Sequence, residues 1–188
     1  RGVAIDDRLL TGALSLDDMS TAELLDEAKA ITGLSNPNSN AQLLNWVKSQ
    51  GIDVDNLRKE TVSDLLDGEL PENVRAALEL RQKLGKSSVS KYKAMAEARG
   101  EDGRVRGLLQ FYGANRTGRW AGRLVQVQNL PRNYIKTLDE ARELVRAANY
   151  EGIKIIYGNV PDTLSQLIRT AFVPAKDKKF IVSDFSAI

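Results

Sequence analysis

Two sets of residues in this chain have types and spacings that could do chemistry. The first is a single carboxylate near the end, in Lys178-Lys179-Phe180-Ile181-Val182-Ser183-Asp184-Phe185-Ser186-Ala187-Ile188. Residues 180–182 form a short apolar run rich in aromatic and β-branched side chains, which predicts a buried strand. Asp184 follows it directly. A carboxylate held at a strand end is a suitable oxygen ligand for a hard divalent cation, with backbone carbonyls and waters completing the shell. The plainer reading is that Asp184 turns the chain. The second set is Arg104, Arg106, Arg116, Arg119, Arg123 and Arg132, which fall within residues 103–132 together with no lysine and no acid. A guanidinium fork grips phosphates and reaches base edges, where an ammonium offers only a point charge. The amides of Gln110, Asn115, Gln126, Gln128 and Asn129 are interleaved and add groove-edge donors and acceptors. Tyr112 and Trp120 read as core packing, with stacking on bases as the alternative.

Composition narrows what else the chain can do. It contains no His and no Cys, which excludes histidine bases, thiolate nucleophiles, disulfides and almost every zinc site. Catalysis would have to run on carboxylates, Lys, Arg or a bound metal. At 42% hydrophobic and 28% charged over 188 residues, the chain has the make-up of one globular domain, or one and a piece. No apolar run reaches membrane-spanning length and no signal peptide opens the sequence, so a cytoplasmic protein without a membrane partner is expected. The net charge of +2 conceals an uneven distribution. Residues 1–80 carry 7 basic and 15 acidic groups, residues 81–136 carry 13 and 3, and residues 137–188 carry 7 of each. The basic middle calls for a polyanionic partner for that part alone.

The elements that must position these residues are mostly helical. Gly2-Val3-Ala4-Ile5 reads as extended. Asp6 then caps a helix with Leu9, Leu10, Leu14 and Leu16 as its contacts. Ser20 and Glu23 have capping-box spacing, so a second helix or a continuation starts there and ends at Gly33. After the turn at Asn36-Pro37-Asn38-Ser39, Ser39 or Asn40 caps a helix carrying Leu43, Leu44, Trp46 and Val47, which stops at Gly51. A short helix is expected over 61–66. Leu70-Pro71-Glu72 opens a long helical segment to Ala98, with a break at Gly85 or Ser87-Ser88. Its far end is basic, with Lys83, Lys86, Lys91 and Lys93. Residues 103–115 read as strand or hairpin. Residues 137–149 read as a helix capped by Thr137, and residues 153–157 as a short apolar run. Pro161-Asp162 starts a helix that delivers Arg169.

Three stretches taken together resemble the family A DNA polymerases, the DNA polymerase I type. They are Thr117-Gly118-Arg119, then Val127-Gln128-Asn129-Leu130-Pro131-Arg132, then Ile168-Arg169-Thr170-Ala171-Phe172 leading to the terminal Asp184 segment. The likeness is greatest to a bacteriophage or prophage branch with extra sequence between the Gln-Asn-Leu-Pro stretch and motif A. It is strongest over 103–188, while Asn36 to Trp46 and the long helical segment resemble the polymerase thumb. The sequence departs from the family at Ala187, where an amide is usual, and at Phe185, where Tyr is commoner. The Leu-Pro-Arg stretch is one residue shorter than usual, and residues 133–160 form an insertion.

The resemblance implies an α+β fold, mostly α. Residues 1–102 would be a helical thumb-like subdomain. Residues 103–188 would be the N-terminal part of a palm with a small antiparallel sheet and an inserted helical segment at about 133–160. It implies that Asp184 is the motif A carboxylate for two Mg2+ ions, with the Phe185 carbonyl as a further ligand. Arg119 would approach the primer terminus. Gln128, Asn129, Arg132 and Arg123 would hold the primer–template, and Lys86 and Lys91 would touch duplex phosphates. The partners implied are DNA primer–template and, in a longer protein, deoxynucleoside triphosphates, in the cytoplasm of a bacterial host cell. The fingers helix and the second carboxylate motif are not among these 188 residues, so they are expected to be inactive by themselves. An unpaired sheet edge makes self-association possible. Without the resemblance, the same residues fit a stand-alone, non-catalytic nucleic-acid-binding module with a structural Asp184, or a scaffold acting through its acidic helices.

Overall fold

A computed structural model describes residues 1–85 and 89–181. The fold is α+β and mostly helical, with small antiparallel sheets. Its spine is α1, Asp7–Thr32, a single helix of 26 residues and so about 39 Å long. Local chemistry sets both ends. The Asp6 carboxylate accepts the Leu9 amide at 3.1 Å, and Gly33 takes the left-handed conformation that closes the last turn, with φ of 69°. A side chain there would strain the cap. Ser20 does not start a new helix. It is buried inside α1, and Glu23, its expected capping partner, instead pairs with Tyr150 and Lys154. Helical spacing of apolar residues through that point outweighed the capping signature.

The spine carries two cores. Leu9, Leu10, Ala13 and Leu16 lie on one face of its first half and are buried with Tyr92, Met95, Val145, Leu164 and Ile168. At its far end Ile31 packs against a second cluster of Leu43, Val47, Val54, Val62, Val74, Ala77 and Leu78. That cluster is closed by α2 (Asn40–Ser49), α3 (Lys59–Asp67) and α4 (Glu72–Leu84). Ser39 caps α2 through the Gln42 amide, and Trp46 packs half-buried against the cluster. Each fully buried leucine stabilises the fold by about 1.5–3 kcal/mol. The helical segment after Pro71 is two helices, α4 and α5 (Ser90–Ala98). The larger core takes side chains from both sides of position 102.

The helical stretch after residue 137 belongs to that core. Helices α6 (Leu138–Arg146), α7 (Tyr150–Tyr157) and α8 (Val160–Leu167) follow one another through short turns. Asn149 caps α7 and Asn159 caps α8. Thr137 makes no cap; its hydroxyl hydrogen-bonds the Tyr157 phenol at 2.8 Å. Helix α6 lies so close to α1 that Gly12 faces the Val145 carbonyl with no room for a side chain. The contact is fastened by charge. Asp6 receives hydrogen bonds from Arg146, one of them 3.0 Å from Nε, and pairs with Arg142 at 3.6 Å. Burial alone would raise the Asp6 pKa, but these guanidiniums and the Leu9 amide outweigh it and hold the carboxyl below its ordinary value.

A three-stranded antiparallel sheet ties distant parts of the chain together. The strand β1 (Val3–Ile5) lies between β2 (Arg104–Val105) and β5 (Phe172–Val173). Val3 faces Val105, and Ile5 faces Phe172. A separate hairpin is formed by β3 (Leu109–Ala114) and β4 (Arg119–Gly122). The terminal strand expected over 180–182 is not seen at Phe180 and Ile181. Both are exposed and outside any strand, because none of the described strands lies beside them. Val182, Asp184 and Phe185 lie outside the described residues, as does Lys86.

Candidate nucleic-acid interface

The hairpin of β3 and β4 gathers much of the arginine set. Its turn is built by Thr117 and Gly118, whose amides both donate to the Ala114 carbonyl, at 3.0 and 2.9 Å. Gly118 has φ of 65°, and an added Cβ would meet the Tyr112 ring at 2.8 Å, so glycine is required on both counts. The strands pair regularly at Leu109 with Gly122 and Gln110 with Ala121. They then slip before Ala114 pairs with Arg119. The slip sets Phe111, Tyr112 and Gly113 opposite Trp120 alone. Such a bulge redirects side chains, and here the aromatics face outward. Phe111 is 71% exposed, Trp120 60% and Tyr112 57%. The expectation that Tyr112 and Trp120 pack in the core is therefore wrong. The buried apolar positions of this region are Val105, Leu108, Val125 and Leu130, at the root of the hairpin.

The root also positions the polar groups. The Arg123 amide donates to the Leu108 carbonyl at 2.8 Å, and its Nε donates to Gln110 Oε1 at 2.5 Å. The Gln128 side-chain amide lies directly against Gly122, in the space a Cβ would fill. Gln128 and Asn129 sit in a short 3-10 turn, Val127–Asn129, and Asn129 donates to Gln126 at 3.3 Å. Arg169 then fixes the backbone that precedes Arg132, donating to the Leu130 carbonyl at 2.7 Å and the Pro131 carbonyl at 3.0 Å. The structure thus brings Arg119, Arg123, Gln128 and Asn129 onto the hairpin and the turn that follows it, with Arg132 exposed just beyond. Lys91 is elsewhere, half-buried on α5.

Charge is distributed unevenly across this surface. Arg106 grips Asp102 with bonds of 2.9 and 2.6 Å. That hydrogen-bonded partner is the main reason the Asp102 carboxyl falls to about 2. Arg104 donates to the Gly2 carbonyl at 3.1 Å. The side chains of Arg116, Arg119 and Arg132 have neither hydrogen bond nor ion pair among the described residues, and all three residues are exposed. The hairpin therefore offers unneutralised guanidiniums and open aromatic rings side by side. Such a surface can take phosphate oxygens and the flat faces of bases. Sequence reasoning named the arginines and amides, Gln110 among them, but missed the exposed Phe111 ring and the Arg169 clamp. Gly113, Gly118 and Gly122, dense within one strand pattern, were a usable signal for a bulged hairpin with close side-chain approach. Among the described residues, no group of three or more Asp, Glu, His or Cys side chains is gathered that could hold a metal ion. No described helix is long and apolar enough to cross a membrane.

By its site, then, the molecule presents a surface suited to a nucleic acid. Over all 188 residues it is 54% identical to a DNA polymerase of Bacillus phage SP02. The chain spans 29% of that protein's length. No protein-family model matches the chain, and no solved structure matches it.

Proposed function

We propose that this chain is the thumb and the first part of the palm of a DNA polymerase of the DNA polymerase I type, and that it holds primer–template DNA. The observation that carries the reading is the identity to the phage polymerase, which extends across all 188 residues. The hairpin agrees with it. A polymerase must accept any sequence, and exposed arginines with short amides serve phosphate and minor-groove contacts without selecting bases. In this reading residues 1–102 form the thumb, residues 103–188 the start of the palm, and residues 133–160 an insertion that braces α1. Arg119, Arg123, Gln128, Asn129 and Arg132 contact the primer–template, and Lys86 and Lys91 touch the duplex from the thumb.

Asp184 and the Phe185 carbonyl are the ligands this reading assigns to two magnesium ions. When bound, such a pair lowers the charge on the attacking 3′ oxygen and the leaving pyrophosphate of a deoxynucleoside triphosphate. The role of the described residues is to bind and orient the DNA end.

The test is duplex binding by the 188-residue chain as salt is varied. Affinity should fall steeply with salt, and Arg119→Ala with Arg123→Ala should flatten the slope by about one unit for each phosphate that is no longer neutralised. Unchanged binding in the double variant would refute the assignment. In the complete polymerase, Asp184→Ala should abolish primer extension, whereas extension by residues 1–188 alone would contradict the proposed division of labour.

A further inference from the structure

We propose that the aromatic face of the hairpin is a stacking platform for unpaired nucleobases, so that the chain grips a single strand as well as a duplex. This rests on the nucleic-acid reading above and adds a second substrate form. Three observations carry it. Phe111 and Trp120 meet edge to face, with centroids 5.2 Å apart and planes at 68°, so the two rings do not stack flat on one another. Both rings are more than half exposed, and an exposed aromatic pair at a hairpin tip contributes nothing to the buried core at its root. The bulge that sets Phe111 and Tyr112 against Trp120 costs ladder hydrogen bonds, and Tyr112 is braced on Gly118. The outward aim is thus built into the backbone.

The surrounding charge selects the occupant. Arg116 and Arg119 carry no partner among the described residues, and residues 103–132 contain no acid, so an apolar partner or an acid-poor peptide would leave these cations unmatched. A nucleic-acid strand matches both features, because it alternates phosphates with flat bases. In a duplex the base faces are covered by their neighbours, so rings on this face meet them only where bases are unpaired.

The experiment uses the chain with Trp46→Phe, which leaves Trp120 as the sole tryptophan. It compares a short oligothymidylate with an abasic oligomer of equal phosphate number. Oligothymidylate should quench Trp120 fluorescence and bind more tightly than the abasic strand. Trp120→Ala or Phe111→Ala should weaken oligothymidylate binding about tenfold, leave abasic binding unchanged, and keep the native circular dichroism. Trp120→Phe should restore most of the loss. Equal affinity for the two oligomers, or an equal loss for both in Trp120→Ala, would overturn the proposal. So would an unquenched Trp120, since it would place the ring away from the bases. Duplex binding that still depends on Arg119 and Arg123 in that event would leave the polymerase reading standing and remove only the platform.

Discussion

Gly12→Ala should destabilise the chain, although helix propensity alone says the reverse. In the middle of α1 an alanine is favoured over glycine by about 1 kcal/mol. At this position, however, the new Cβ would fall on the Val145 carbonyl oxygen and lie 2.9 Å from its carbon. Those atoms are the backbone of α6, so no flexible side chain can swing aside. Relief requires α6 to retreat by on the order of 1 Å, and overpacking of this kind costs about 1–3 kcal/mol. The retreat also pulls Ala141 and Val145, both fully buried, off the α1 face. It stretches the bonds from Arg142 and Arg146 to Asp6, which are partly shielded from water, at about 1 kcal/mol more. After the propensity gain is subtracted, a net loss of about 1–3 kcal/mol remains. For a chain of this length that lowers Tm by roughly 2–12 °C. Urea and thermal unfolding followed by circular dichroism read the effect. A Gly12→Ala chain as stable as the parent, or more so, would refute the claim that α6 is seated on the α1 backbone, and with it the view that α6 is part of the core.

Three further substitutions separate the other forces. Asp6→Asn keeps a competent cap but drops the charge, and should cost about 1–3 kcal/mol at pH 7. Because the Asp6 carboxyl is held below its ordinary value, its stabilisation is complete above the unfolded pKa of about 3.9 and is lost as pH falls through the lower folded value. Parent and variant should therefore converge once the pH has fallen through that lower folded value; stability curves that stay parallel would show that the charge is not the cause. Tyr92→Phe removes the bond from the buried phenol to the Leu164 carbonyl, 2.8 Å long, and should cost about 1 kcal/mol. A neutral result would mean that water already serves that carbonyl. Glu23→Gln weakens the exposed contacts to Lys154 and Tyr150, and should cost under about 1 kcal/mol and vanish in high salt. A larger, salt-independent loss would give this link between α1 and α7 a structural weight its exposure argues against.

Local signals were legible and distant ones were not. The Asp6 and Ser39 caps, the stop at Gly33 and the start at Pro161 all follow from residues within one turn of each other, and all are present. The pairing of Asp6 with Arg146 spans 140 residues, and nothing in either neighbourhood announces it. The same holds for the seating of Gly12 on Val145. Ser20 and Glu23 fit a capping signature that the structure does not use, because Ser20 falls on the buried stripe of a helix long enough to run through it. At the site, residue type was informative and burial was not. The arginines and amides of residues 103–132 were singled out by composition, yet Trp120 and Tyr112 were expected inside. Their exposure follows from a register slip of the strands, which alternation cannot foretell.

The placement of the hairpin explains how an exposed, aromatic, highly basic element can coexist with a stable fold. A two-stranded hairpin is marginal when isolated in water, and this one turns its largest side chains outward. Its order must come from its root. There Val105, Leu108, Val125 and Leu130 enter the main core, and β2 joins the sheet that also holds β1 and β5. Arg169 adds two bonds to the backbone that leaves the root. Stability is thus generated along α1 and transmitted to the hairpin base, while the tip remains available for a ligand. Changes at Gly12, Asp6 or Tyr92 should therefore act on folding, whereas in the proposed reading changes at Phe111, Arg119 or Trp120 should act on binding with little effect on folding. This division follows from burial: the first group lies in or against the core, and the second group touches it only through the backbone.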